Sequence, residues 1–587
     1  MANLLFKKVD YTVGKLLEDI ELGEIGLPDI QRPFVWDNAR VRDLFDSMYR
    51  GYPVGTLLFW ENGFAEGHRE IGVGEKQKAP RLLIVDGQQR LTALYAVIHG
   101  VPIVDKNFRS KRLRLSFNPL EEKFEVANAA TERNPNWITD ISVLWRDGFD
   151  MFRFVSDFTQ RLEERNPLSE EERVKLQQAI SNKLYHLLDY PLTALEISSS
   201  TSEQQVSDIF VRINSKGRTL NQADFILTLM SVFWDEGRRA LEAFAREAKT
   251  VPQAGQPSPY NPLFQPLPDQ LLRVIVALAF RRARLEHVYM ILRGKDLQTG
   301  EFSEERRDEQ FTLLKKAQEY VLDLQNWHEF LNVVRLAGHM HKSLILSEVG
   351  MVYNYALWLI GKRDFKVPTR SLRNIMARWF FMSSLTYRYT GSQESQMEQD
   401  LAMLRGKSSP EEFIAALERE MAAVLTNDYW QVTLPNNLET AASRTPSQAA
   451  FYASLVILDA KVLYSNMKVR DMLSPDLASS RKALERHHLF PRNYLRKLGI
   501  QDRRDTNQVA NFALVEWHDN IDISDKPPAE YAPKYEAEFS AVDLNTMYRH
   551  HALPHGWYEM SYFDFLEKRR RLMAATIREG FEQLPKS

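Results

Sequence analysis

A proline-rich segment divides this chain of 587 residues. The string TVPQAGQPSPYNPLFQPLPDQ, from Thr250 to Gln270, contains six prolines. Proline lacks a backbone N–H donor and disrupts helix geometry, so this stretch cannot form a regular helix. We therefore predict a linker or an extended arm here, with a different architecture on each side.

The sequence before this segment has the pattern of an α/β region. From residue 6 to about residue 230, short apolar runs such as TLLFW and RLLIV alternate with helical patterns. In LTALYAVI, the apolar residues Leu91, Leu94 and Ile98 have helical spacing. Strands that alternate with helices predict an α/β domain over residues 1–235.

The sequence after the segment has a different periodicity. From about Leu271 to Ala423, long periodic stretches rich in Leu, Ala, Arg and Glu predict helices. The last 160 or so residues contain two nearly identical strings, RHHLFP and RHHALP. We predict an α+β multidomain protein, with the linker and a helical domain at 236–424 and a mostly helical domain at 425–587.

Composition narrows the chemistry and the compartment. The chain has no cysteine, which excludes disulfides, thiolate nucleophiles and cysteine-ligated zinc. The net charge of -2 gives no overall attraction to nucleic acid, so DNA binding must depend on local basic patches. The longest apolar run, LLRVIVALAF, is too short to span a bilayer, and no secretion signal is recognisable. We expect a cytoplasmic protein that does not bind membranes.

The first histidine pair precedes a pattern typical of a metal-dependent nuclease. After His487 and His488, the string NQVANFALVEWHDNIDISDKPP predicts a loop, a strand from Asn511 to Trp517 and a short helical segment stopped by prolines. Histidine suits a general base because its free pKa, ~6.5, is close to working pH. A second imidazole and an amide oxygen suit a divalent metal. Alone, the pair is weak evidence and is better explained as a surface or tag-like coincidence.

This stretch resembles the ββα-metal, or HNH, nuclease motif. The resemblance implies that His487 and Asn520 hold a metal ion, with magnesium or manganese favoured. It also implies that His488 is the general base, and that Asn511 braces the loop and orients that base. His487 departs from the pattern, because many HNH domains have aspartate there.

The other histidine clusters lack the partners of such a site. No asparagine follows His551, so the strand and helix of the motif cannot be built after RHHALP. We expect His550, His551 and His555 to be structural or close to the substrate. The string HMH at residues 339–341 has no acidic or amide partner at ligand spacing, and a surface position is expected.

A second candidate site lies in RLLIVDGQQRLTALYAV. The pattern predicts a strand that ends at Asp86-Gly87 and a helix that begins directly afterwards. Gln88, Gln89 and Arg90 then lie in the first helical turn, where unpaired backbone N–H groups and the helix dipole favour phosphate. Arg90 would add a bidentate donor. The alternative is helix capping by Asp86 with an exposed Arg90.

Four strings in order resemble the ParB/sulfiredoxin-like domain of GmrSD-type enzymes: IQRPFVW, YPVGTLLFW, VDGQQRLTAL and FVRINSKGRTLNQADF. The string HHLFPRNYL, followed by NQVANFALV, is similar to the HNH half of the same family, so the resemblance covers roughly residues 1–235 and 425–587. The family comprises type IV restriction enzymes, which hydrolyse nucleoside triphosphate and cut modified phage DNA. The resemblance implies that ATP, GTP, UTP or CTP is bound by Gln31, Arg32, Asp86, Gly87, Gln88, Gln89, Arg90, Asn214 and Lys216.

The function that these resemblances imply is NTP-coupled, divalent-metal-dependent cleavage of double-stranded modified phage DNA, such as glucosylated hydroxymethylcytosine DNA. The alternative is a nucleotide-switched DNA-binding regulator without cleavage activity, and a nuclease directed against RNA is a third reading. Four basic segments could track DNA or could be solvated faces: KNFRSKRLRL, FRRAR, RKLGIQDRR and EKRRR. The sequence leaves the oligomeric state open, a homodimer included.

Overall fold

A computed structural model describes most of this chain as two compact units, Met1–Arg238 and Arg239–Ser587. The described residues are 4–28, 34, 36–61, 68–69, 81–104, 110–164, 167–201, 205–206, 209, 234–253, 255–284, 287, 290–291, 299, 304–442, 444–474, 486–516 and 523–586. The first unit contains a mixed sheet and the second is helical, which confirms the predicted mixed α+β class.

The first unit alternates strands and helices. Its strands are β1 (Phe6–Thr12), β2 (Ile25–Pro28), β3 (Leu57–Glu61), β4 (His68–Arg69), β5 (Leu82–Asp86), β6 (Pro102–Val104), β7 (Ser110–Arg112), β8 (Leu115–Asn118), β9 (Lys123–Val126) and β10 (Pro191–Ile197). Its helices are α1 (Val13–Glu21), α2 (Asn38–Tyr49), α3 (Gln88–Ile98), α4 (Ala129–Arg133), α5 (Met151–Glu163) and α6 (Glu170–Gln177).

Six of these strands form one mixed sheet in the order β1-β10-β3-β5-β2-β4. The β10–β3 and β2–β5 pairs are parallel, and the other three pairs are antiparallel. Side chains alternate between the faces, as the two-residue period of a strand requires. Leu57 and Phe59 join the main core with the helices, whereas Leu58 packs with Ile197 in a second cluster. The sheet therefore holds the end of β5 firmly in place.

Helices dominate the rest of the chain. They are α7 (Asp235–Glu247), which spans the boundary between the units, α8 (Pro268–Phe280), α9 (Glu304–Val321), α10 (Leu324–Leu336), α11 (Glu348–Arg363), α12 (Thr369–Leu385), α13 (Gln393–Ala402), α14 (Pro410–Val424), α15 (Leu434–Asn437), α16 (Pro446–Ile457), α17 (Val469–Met472), α18 (Arg492–Lys497), α19 (Arg503–Thr506), α20 (Pro528–Glu536), α21 (Ala541–His550) and α22 (Tyr562–Gln583). Two short strands, β11 (Arg486–His488) and β12 (Phe512–Leu514), pair within the second unit.

The proline-rich segment is an extended arm packed on the helical unit. The indole Nε1 of Trp327 donates a hydrogen bond to the Pro259 carbonyl at 2.9 Å. The buried Asn261 side chain accepts the backbone N–H groups of Leu263 and Phe264. Pro268 occupies the first turn of α8, where its missing N–H costs nothing. The described residues of this segment therefore pack against the helical unit.

The apolar run LLRVIVALAF lies within α8, which is buried in this unit. The neighbouring helix α11 is buried over nearly its whole length, from Met351 to Gly361. Within the described residues, none of the helices combines the length and the apolar character needed to cross a membrane.

Candidate active site

The first histidine pair lies on a two-stranded antiparallel sheet. In this sheet His487 is opposite Ala513 and His488 is opposite Phe512. Consecutive residues of a strand point to opposite faces, and the two imidazoles have different neighbours accordingly. The ring of His487 is 3% exposed and meets the edge of Tyr531 at 6.0 Å, whereas His488 is half-buried against Phe512 at 4.3 Å.

Asn511 closes the loop between these two strands. Its side chain is fully buried, and its Oδ1 accepts the backbone N–H of Phe490 at 2.8 Å. Its Nδ2 donates to the carbonyls of Phe490 and Thr506, both at 3.1 Å. These bonds fix both ends of the loop. The sequence indicated two roles for Asn511, bracing the loop and orienting the base, and these bonds correspond to the first. The predicted strand from Asn511 to Trp517 was too long, because Asn511 belongs to a turn and β12 ends at Leu514.

A residue that the sequence reasoning missed contacts His488 directly. Asn507 Oδ1 lies 3.0 Å from His488 Nε2, a hydrogen-bonding distance. Asn507 ends the short helix α19, four residues before Asn511. The string NQVAN contains both asparagines, one directly before β12 and one four residues earlier, and only the folded turn separates their roles.

Both histidines line a cleft of about 370 Å³. The other walls come from α18 and from the segment before α20: Pro491, Arg492, Asn493, Arg496, Ser524 and Asp525. Arg492 and Arg496 are four residues apart and therefore lie on one side of α18. The cleft thus combines imidazole, guanidinium and carboxylate groups, a set suited to binding and hydrolysing a phosphodiester.

The cleft also has donors of the kind that divalent ions accept. His487 and Asp525 are both lining residues, and nitrogen and oxygen donors fit magnesium, manganese and related ions. No group of three or more His, Asp and Glu side chains with metal-binding geometry occurs in the described part of the chain. Asn520, the second ligand implied by the sequence, lies outside the described residues.

The DGQQR string forms the predicted junction between a strand and a helix. β5 ends at Asp86 and α3 begins at Gln88, with Gly87 between them at φ +98°. A side chain at Gly87 would be strained at this φ, and its Cβ would lie 2.3 Å from a Leu57 methyl. Gly87 occupies the N-cap position of α3 and has no side chain with which to cap the helix.

Arg90 has a role that the sequence did not indicate. Its two terminal nitrogens donate to the carbonyls of Val54 at 2.9 Å and Thr56 at 2.8 Å. The Asp86 carboxylate lies 3.7 Å from the Arg90 guanidinium, and the Arg90 side chain is 16% exposed. Burial is the main cause that lowers the pKa of Arg90. Arg90 therefore braces the loop before β3. The expectation of an exposed Arg90, part of the capping alternative, is wrong. Phosphate binding by Arg90 stays a prediction.

The remaining nucleotide-binding candidates are spread over several segments. Gln88 and Gln89 lie beside Arg90 in the first turn of α3, half-buried. Gln31, Arg32, Asn214 and Lys216 lie outside the described residues. The structure therefore groups only the residues of the DGQQR string.

Most histidines of the other two clusters are buried. His551 is fully buried, its Nε2 lies 2.8 Å from the Lys461 carbonyl, and burial lowers its pKa to about 4. His550 is also buried, and His555 is exposed and does not line the cleft. His339, expected at the surface, is 1% exposed and packs edge-on against Phe380. That expectation was wrong, because the backbone turn after α10 directs this imidazole inward.

The four basic segments differ in whether their cationic side chains already have partners within the fold. In FRRAR, Arg281 pairs with Asp364 and Arg282 with Glu398, and in EKRRR the fully buried Arg569 donates to backbone carbonyls. In KNFRSKRLRL, Arg112 and Arg114 are paired, and residues 106–109 are not described.

In α18 and the residues that follow it, by contrast, five cations have no ion-pair partner among the described residues: Arg492, Arg496, Lys497, Arg503 and Arg504. Of these, Arg492 and Arg496 line the cleft, so unneutralised positive charge lies directly beside the histidine pair.

Comparison with known proteins supports the class of protein that the sequence suggested. Residues 13–231 match the family model described as GmrSD restriction endonuclease, N-terminal domain. The match lies within the first unit and supports a GmrSD-like restriction endonuclease family, with DNA as the suggested substrate.

A longer similarity covers both units. The chain is 23% identical over 554 residues to the uncharacterized protein MJ0686 of Methanocaldococcus jannaschii. The aligned region includes 87% of this chain and 84% of that protein. The similarity therefore extends beyond the region that matches the family model.

Proposed function

We propose that this protein is an NTP-coupled, divalent-metal-dependent endonuclease that restricts modified phage DNA, with glucosylated hydroxymethylcytosine DNA as the first substrate to test. The observation that carries the proposal is the cleft around His487 and His488, in a chain whose first unit matches a restriction-endonuclease domain. A binding-only regulator would not need a half-buried imidazole held beside two arginines and a carboxylate.

The proposed reaction is hydrolysis of a phosphodiester bond. His488 accepts a proton from a water molecule, and the resulting hydroxide attacks the phosphorus atom as the bond to the 3′ oxygen breaks. Arg492 and Arg496 bind the phosphate oxygens with charge-assisted hydrogen bonds, which orients the backbone across the cleft. Asn511 keeps the loop rigid, so the base stays fixed relative to the arginines.

His487 would hold the divalent ion, together with Asn520 and Asp525. When bound, such an ion stabilises negative charge on the phosphate and on the leaving 3′ oxygen. Many HNH domains have an aspartate at the position of His487, and here Asp525 brings a carboxylate-bearing residue to the same cleft. Its presence on the same cleft supports an oxygen-rich ligand set and hence magnesium or manganese.

The nucleotide-binding half of the proposal rests on the first unit. Helix α3 begins directly after β5, so the N-terminus of the helix lies at the end of that strand. The match to a GmrSD N-terminal domain covers this junction. Gln88 and Gln89 are the side chains nearest to that end, and we assign them to the nucleotide. Arg90 would contribute indirectly, by holding the Val54–Thr56 loop through two hydrogen bonds.

The decisive experiment compares His488→Ala with the wild-type protein. Purified protein is incubated with unmodified, hydroxymethylated and glucosylated DNA, with magnesium, manganese or a chelator, and with or without each nucleoside triphosphate. We expect cleavage of modified DNA by the wild-type protein, and loss of cleavage by at least about 100-fold in the variant, because general bases contribute about that much. Nucleotide hydrolysis should be unchanged.

The matched control is His555→Ala, because His555 is an exposed histidine of the same unit outside the cleft. It should cleave like the wild-type protein. If His488→Ala retains cleavage, the catalytic assignment is wrong. If the wild-type protein binds modified DNA but never cuts it, the regulator alternative is correct, and digestion of RNA alone would favour the third reading.

A further inference from the structure

We infer that Asn507 is a positioning residue that fixes which nitrogen of His488 carries the hydrogen. This inference rests on the proposed role of His488 as the base. Asn507 is the first residue of the string NQVANFALV, but the sequence indicated no role for it, and only the fold brings it to the imidazole.

The contact determines the tautomer of His488. The Asn507 Oδ1 atom lies 3.0 Å from Nε2 of the imidazole. An amide oxygen accepts hydrogen bonds and cannot donate them, so Nε2 must carry the hydrogen. In a neutral imidazole the other nitrogen, Nδ1, then has the lone pair. Nδ1 is therefore the atom that takes the proton from water in the proposed reaction.

The loop that presents Asn507 is held from several sides. The Tyr562 hydroxyl donates to the Asp505 carbonyl at 2.7 Å, and the Val509 N–H donates to the Thr440 carbonyl at 2.8 Å. The buried Arg569 donates to the Ala510 carbonyl at 2.7 Å. With Asn511 bonded to Thr506, the backbone on both sides of Asn507 is fixed.

The imidazole is restrained from its other side as well. Phe512, which faces His488 in the strand register, contacts the ring at a centroid distance of 4.3 Å and an angle of 48°. Phe512 limits rotation of the ring, and Asn507 selects the orientation that places Nε2 toward the loop. Aromatic packing alone does not distinguish the two nitrogens, so the selection requires the amide.

The test measures the tautomer directly in the full-length protein. Nitrogen-15 histidine labelling and long-range proton–nitrogen correlation spectra distinguish the protonated from the bare ring nitrogen. The His488 signals are assigned by their loss in His488→Ala. We expect the wild-type protein to carry the hydrogen on Nε2 almost exclusively. Asn507→Ala should shift the His488 signals toward the tautomer mixture of free imidazole.

Steady-state cleavage provides the second measurement. Asn507→Ala should lower kcat by about 10- to 100-fold, the usual loss when an outer partner of a functional histidine is removed, and leave KM within about 2-fold. Asn507→Asp keeps an acceptor oxygen in place, so it should retain the wild-type tautomer and recover most of the activity. Asn545→Ala, on the exposed face of α21, is the matched control and should change neither measurement.

The outcomes separate this inference from the proposed function. A hydrogen on Nδ1 in the wild-type protein, or identical His488 spectra in the wild-type protein and Asn507→Ala, would overturn the inference. A rise in KM with unchanged kcat would also overturn it, since that result indicates a role in substrate binding. If the tautomer changes as expected while the wild-type protein cuts no nucleic acid, Asn507 positions His488 and the nuclease proposal is wrong.

Discussion

Two buried histidines, His339 and His551, make the stability of the second unit depend on pH. Burial lowers the pKa of each to about 4, because the charged imidazolium would lose its hydration. In the unfolded chain both pKa values return to ~6.5. The unfolded state therefore binds more protons between pH 6.5 and pH 4, and the free energy of unfolding falls as the pH falls through this range.

Each of these histidines should contribute up to about 3 kcal/mol to that loss, since one pKa unit corresponds to about 1.4 kcal/mol. Urea unfolding of the full-length protein between pH 4.5 and pH 7 measures the slope. His551→Gln preserves a donor for the Lys461 carbonyl and should reduce the slope by about one proton. The exposed His555→Gln should leave the slope unchanged, and an equal effect of both substitutions would contradict the role of burial.

The residues of the candidate site were only partly predictable. His487, His488 and Asn511 follow from local spacing, because a strand, a loop and a strand are short-range features. Asn507 reaches His488, and Asp525 reaches the cleft, only through the packing of the intervening segments. The burial of His339 was missed for the same reason, since burial depends on helices that are distant in the sequence.

At the level of elements, α18 is the part of the second unit best suited to contact a nucleic-acid backbone. Its residues Arg492 and Arg496 line the cleft and have no ion-pair partner among the described residues. Each cation that contacts a phosphate releases counterions from duplex DNA, so the affinity falls with salt by a slope of about 0.9 per contact.

We therefore expect Arg492→Ala and Arg496→Ala each to weaken DNA binding and to lower the slope of log affinity against log salt by about 1. Fluorescence anisotropy on one duplex at several salt concentrations measures both quantities. Arg571→Ala, an exposed arginine of α22 already paired with Glu567 at 2.7 Å, is the control and should change neither. Unchanged slopes in the α18 variants would exclude this helix from the DNA contact.

The elements themselves were predicted unevenly. The β5–α3 junction was correct because Gly87 and the helical period of the following residues are local signals. The strand after Asn511 was too long because an asparagine side chain that bonds to backbone groups competes with strand pairing. The proline-rich arm was recognised, but its packing against Trp327 depends on the folded helical unit.

At the level of the whole molecule, the two compact units separate the proposed nucleotide and nuclease chemistry along the chain. Units with their own cores generally unfold in separate or distinguishable steps. A substitution that acts on stability in one unit should therefore be distinguishable from one that acts on chemistry. Arg90 is the residue for which this distinction matters most.

Arg90→Ala should lower the stability of the first unit by about 1–3 kcal/mol, because the carbonyls of Val54 and Thr56 lose their donors. Calorimetry should show a decrease of a few degrees in the Tm of the first unit, with the second transition unchanged. Arg153→Ala, an arginine 81% exposed in the same unit, is the control.

Nucleotide hydrolysis at a temperature where Arg90→Ala remains folded then decides its role. If Arg90 only braces the Val54–Thr56 loop, hydrolysis should fall less than about 10-fold, whereas Gln88→Ala and Gln89→Ala should weaken nucleotide binding without changing Tm. Complete loss of hydrolysis by folded Arg90→Ala would mean that the guanidinium contacts the phosphates directly. The bracing geometry would then describe only the nucleotide-free protein, and nucleotide binding would have to break the bonds to Val54 and Thr56.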